Sequence, residues 1–71
     1  MKMVYIVENV NPDLRVFMDY KSAFEFAVKK ADKRKGPTDV WFEGVRVYRT
    51  SEYCSGENHI YIHAREIENN D

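Results

Sequence analysis

The sequence predicts an α+β fold: an antiparallel sheet of four, or at most five, strands in β-β-α-β-β order, with one helix packed on one face. Three observations carry this. Stretches rich in β-branched and aromatic residues lie on both sides of a central stretch, Tyr20 to Ala31, whose apolar residues return at three- and four-residue spacing. Clusters of Gly, Pro, Asn, Asp and Ser separate these stretches. No apolar run approaches the roughly 20 residues that cross a bilayer.

Met3 to Glu8 has strand composition and ends at Asn9-Val10-Asn11-Pro12-Asp13, a run of turn formers. Leu14 to Met18 resumes the strand pattern, so the first 18 residues read as an antiparallel hairpin. Asp19 follows as an N-cap. Tyr20, Ala23, Phe24, Ala27, Val28 and Ala31 then form one helical face, on which three alanines make a narrow ridge that can sit close to a sheet. Phe26 falls off that stripe and is expected to pack at an edge, against a loop. The helix should stop at Lys33-Arg34-Lys35-Gly36-Pro37, with Gly36 as C-cap and Pro37 unable to continue the helix.

Val40-Trp41-Phe42 is a short apolar run, Glu43-Gly44 interrupts it, and Val45 to Tyr53 then alternates. The interruption fits a two-residue hairpin turn or a bulge within one long strand, and the bulge is the preferred reading. Cys54-Ser55-Gly56-Glu57-Asn58 is a second turn cluster, His59 to Ile67 the last strand, and residues 68–71 a polar, frayed tail.

Seventy-one residues suit one domain, 1–71, near the lower limit for folding on a single core without disulfides or metals. The 44% hydrophobic content, with charge of both signs, argues against disorder. Cys54 has no partner for an internal disulfide, and Met1-Lys2-Met3 leads into a strand rather than a signal peptide, so a cytoplasmic location is expected. The net charge of −1 gives the molecule no general attraction for nucleic acid. It is unevenly spread, with Lys29, Lys30, Lys33, Arg34 and Lys35 making one basic stretch while Glu52, Glu57, Glu66 and Glu68 make the C-terminal third acidic. Basic residues are favoured at the negative end of a helix, and that structural reading is preferred to phosphate binding.

Pairing the last two strands so that Val47 meets Glu66 and Tyr53 meets Ile60 gathers Val45, Val47, Tyr53, Ile60, Ile62 and Ala64 on the core side. Arg46, Tyr48, Thr50, Tyr61, His63 and Arg65 then share the open side, with Glu52 and Ile67 beside them. Aromatic, cationic and hydrogen-bonding groups interleaved on a sheet suit a protein interface or a single-stranded nucleic acid, and also make an ordinary solvated sheet.

The chemistry of an enzyme is not evident. Cys54, His59 and His63 lack a fourth ligand, and His59 and His63 would lie about 13 Å apart on an extended strand, too far for one zinc ion. The acidic Glu52 and Glu57 disfavour a Cys54 thiolate, and the three isolated glycines form no phosphate loop. The chain is therefore expected to be non-catalytic, with no cofactor and no metal. A protein partner is expected through Arg46, Tyr48, Thr50, Tyr61, His63 and Arg65, and a homodimer is also allowed. The alternative is RNA or DNA held by the same face and by Lys29, Lys30, Lys33, Arg34 and Lys35. No membrane partner is expected. In size and lack of an active-site signature the chain is similar to small accessory proteins of bacteriophages and mobile elements, which implies an inhibitor or adaptor role.

Overall fold

The computed structural model describes residues 2–9, 14–54 and 56–67. The elements are β1 (Lys2–Glu8), β2 (Arg15–Phe17), α1 (Tyr20–Lys33), β3 (Thr38–Phe42), β4 (Val45–Arg49) and β5 (Asn58–Ile67). Five strands make one sheet in the order β2-β1-β5-β3-β4, antiparallel except where β3 runs parallel to β5. The α+β class and the single helix are as expected, but the strand arrangement is not. The turn expected over residues 10–13 and the tail expected over 68–71 lie outside the described residues.

The helix begins where Asp19 caps it: the Ser22 backbone N–H donates to Asp19 Oδ1 at 2.8 Å and the Ser22 hydroxyl to Oδ2 at 3.1 Å. Lys30 and Lys33 occupy its last turn, the arrangement the helix dipole favours. The helix stops at Lys33, and Arg34, not Gly36, takes the C-cap position, its N–H donating to the Ala31 carbonyl at 3.2 Å. Gly36 instead carries a positive φ of 86° in the bend that leads to β3.

Ala23, Ala27 and Ala31 are buried and set the helix down on Val7, Val40, Ile60 and Ile62, each with no exposed surface. Aromatic rings close the seam around them. Tyr20 lies 4.7 Å from Phe42 and 6.0 Å from Tyr5, while Phe24 stacks on Tyr20 at 5.8 Å. Phe26 packs on Phe17 of β2 at 5.2 Å, with the Arg15 guanidinium at 5.0 Å and the Lys30 ammonium at 5.4 Å from its ring. Its neighbour is therefore the edge strand, not a loop, because β2 presents Phe17 and Arg15 on the helix side of the sheet.

Two expectations for the last strands are overturned. Glu43 and Gly44, with φ of 46° and 84°, form a two-residue hairpin turn joining β3 to β4, and positive φ at both central positions is what such a turn requires. A bulge exists one step further on: Val40 faces Tyr48 and Trp41 faces Arg46, leaving Val47 as the extra residue. The pairing of Val47 with Glu66 and Tyr53 with Ile60 does not form, because β1 and β3 occupy the two sides of β5 and β4 is held on β3 by its tight turn. Ile60 and Ile62 are buried as expected, but Val45 is 63% exposed and Tyr53 94% exposed.

Candidate interaction site

One face of the sheet carries the helix and the other carries no element of the described chain. The residues of that open face follow from the registers, since cross-strand partners point the same way. A row crosses four strands as Glu8 on β1, Tyr61 on β5, Trp41 on β3 and Arg46 on β4. On β1 the same face holds Val4 and Ile6, opposite Arg65 and His63 of β5. Tyr61, Ile67 and Val16 are large apolar side chains left 38, 41 and 54% exposed there.

Along β5 the rings of His59, Tyr61 and His63 follow one another at 6.2 and 6.3 Å, with planes 23° and 18° apart. Alternation places every second residue of a strand on one side, which brings these rings together from a single segment. The Trp41 indole N–H donates to His59 Nδ1 at 3.1 Å. This hydrogen bond holds the two rings side by side, their centroids 6.1 Å apart. His63 Nε2 lies 3.1 Å from Glu8 Oε2, and its Nδ1 lies 4.0 Å from Glu43 Oε1. Glu43 also accepts the Ala64 backbone N–H at 2.7 Å and an Arg65 N–H at 3.3 Å. It thereby covers the edge of β5 just beyond the last residue of β3.

A buried carboxylate anchors the other end of the face. Asp39, only 2% exposed, accepts from Arg49 Nε at 3.1 Å and from the Gly56 N–H at 3.3 Å. The hydrogen bond from Arg49 is the main cause that holds its carboxyl below the usual carboxylate range. A Cβ on Gly56 would stand 2.6 Å from Asp39 Cγ and 2.9 Å from the Asp39 backbone nitrogen, so only glycine permits this approach.

Five residues expected on the open face lie there: Arg46, Tyr61, His63, Arg65 and Ile67. Tyr48 and Thr50 do not. The bulge at Val47 reverses the alternation of β4, so Tyr48 turns under the helix, where its ring meets Phe24 and its hydroxyl donates to Asp32 Oδ1 at 2.7 Å. That hydrogen bond, followed by burial, raises the Tyr48 pKa above the ordinary tyrosine value. Thr50 closes the hairpin, its hydroxyl accepting the Thr38 N–H at 2.9 Å. The basic stretch lies on the helix side of the sheet, and part of it is committed: Arg34 donates to the Asn9 carbonyl and Lys30 sits over Phe26. Lys29, Lys33 and Lys35 are exposed.

Trp41, His59 and Glu8 also lie on the face, where the sequence alone did not place them. Alternation within Val40-Trp41-Phe42 could have found Trp41, since Val40 and Phe42 both turn to the core. Among the described residues no group of three His, Cys, Asp or Glu side chains is placed to hold a metal ion, and no helix is long and apolar enough to cross a membrane. An open depression beside Phe24, Phe26 and Val28 has a described lining drawn from the helix alone, with Ser22, Glu25 and Lys29 as its polar residues. Comparison with protein-family models, curated proteins and solved structures finds no match.

Proposed function

We propose that the chain is a non-catalytic protein-interaction module, an inhibitor or adaptor, that docks through the open face of its sheet. The observation that carries this reading is the grouping of Trp41, His59, Tyr61 and His63 at the centre of a face that no described element covers. Aromatic residues in such a position supply large contact area with little conformational entropy to lose, which is why they dominate the energetic centres of protein interfaces. Charges of both signs surround them: Glu8 and Glu43 flank His63, Arg65 meets Glu43, and Arg49 is bound to Asp39. A phosphate backbone laid along the rings would meet those carboxylates, and the exposed lysines of the basic stretch, Lys29, Lys33 and Lys35, are on the helix side. These placements favour a protein over a nucleic acid.

Two tyrosines test the reading against each other. Tyr61→Ala is expected to cost about 1 kcal/mol of stability, the scale of one strand side chain and its cross-strand pairs, and to reduce partner affinity by about 2 kcal/mol or more. Tyr48→Ala is expected to do the reverse, losing about 2 kcal/mol of stability with its ring contact and hydrogen bond to Asp32, and leaving binding intact in the folded fraction. Urea titrations and binding isotherms on both variants measure this. Unchanged affinity in Tyr61→Ala would remove the open face from consideration. A steep linear fall of log affinity with log salt, reduced by substituting Lys29 or Lys33, would instead identify a nucleic-acid partner.

A further inference from the structure

We propose that the open face binds the open face of a second copy of this chain, forming a symmetric dimer in which two sheets pack against each other and the helices lie outside. The inference rests on the docking reading above and names its occupant. It is carried by the cross-strand row Glu8, Tyr61, Trp41, Arg46, one residue from each of β1, β5, β3 and β4 in spatial order.

The row is an acid, two aromatic rings and a base. A two-fold axis running along the strands between β5 and β3 reverses its order, placing Glu8 of each copy opposite Arg46 of the other and Tyr61 opposite Trp41. Closed two-fold interfaces require a surface to be complementary to itself, and this row meets that condition in charge and in aromatic contact at once. Arg46 is exposed and makes no ion pair among the described residues, while the Glu8 side chain is half exposed beside His63. Both ends of the row are therefore available to a partner. Packed sheets lie about 10 Å apart and cross at about 30°, so the contact is best near the axis, where Tyr61 and Trp41 stand.

Sedimentation equilibrium on the purified chain, from roughly 1 to 500 µM to bracket a weak interface, is the test, with thermal melts on every variant. The wild type is expected to pass from monomer to dimer. Glu8→Arg and Arg46→Glu are each expected to weaken association by about tenfold or more, because each places like charges opposite one another twice per dimer. The double variant Glu8→Arg/Arg46→Glu is expected to restore it. A monomer across the whole range, or a dimer that neither single variant weakens, overturns the proposal. So does a double variant no better than the singles. A chain that stays monomeric while Tyr61→Ala still weakens its binding to a different protein would overturn the dimer alone and leave the docking reading standing.

Discussion

Replacing Ile62 by alanine is expected to lower the unfolding free energy by about 2 to 5 kcal/mol, the range for truncating a buried isoleucine. Ile62 has no exposed surface and sits on the central strand, opposite Val7 of β1 on one side and Phe42 of β3 on the other. Neither neighbouring strand can close over the space without breaking its ladder to β5, so the cavity term should be near its full size. A chain of 71 residues has about 4 to 11 kcal/mol of stability in total. Urea titration should therefore show a midpoint far below the wild type, or no folded baseline. A midpoint within about 0.5 kcal/mol of wild type, the scale of a surface substitution, would show that β5 is not central.

Asp39→Ala is expected to cost about 2 to 4 kcal/mol, because it leaves the Arg49 guanidinium and the Gly56 N–H without their acceptor in a largely buried place. The same group sets a pH dependence. Its carboxyl titrates lower in the folded chain than the unfolded value of about 3.9, so the unfolded chain binds the proton first. Its contribution is then complete above about pH 4 and lost as the pH falls through the folded pKa. Wild-type stability measured by denaturant from neutral pH downward should fall in that acid range. Asp39→Asn should be less stable at neutral pH and lose less on acidification; equal acid slopes in the two proteins would show that another group is responsible.

The helix was legible from local signals. Asp19 ahead of an apolar stripe, alanines at positions 23, 27 and 31, and lysines in the last turn each act within a few residues, so the sequence states them directly. The inward side of β5 was equally legible, since strict alternation puts Ile60 and Ile62 on one side and Tyr61, His63 and Arg65 on the other, whatever strand lies beside them. Neighbourhood was not. That β5 enters between β1 and β3, parallel to β3, depends on which edges remain free after the two hairpins have formed, a competition between distant segments with no local mark.

The bulge at Val47 shows the limit most clearly. One extra residue reversed the alternation of β4, moved Tyr48 from the open face to the helix, and left Arg46 at the end of the aromatic row. Asp39 belongs to the same class: an acidic residue in a strand reads as exposed until Arg49 and the glycine at 56 are brought to it by the fold. The sequence by itself determined the class of fold, the helix, the punctuation of the chain and the two sides of its longest strand, because these depend on periodicity and on residues adjacent in the chain. Only the tertiary structure decided the strand order, the buried carboxylate and the composition of the open face, because each is a meeting of side chains separated by tens of residues, fixed by which arrangement leaves the fewest backbone groups unpaired and the least apolar surface in water.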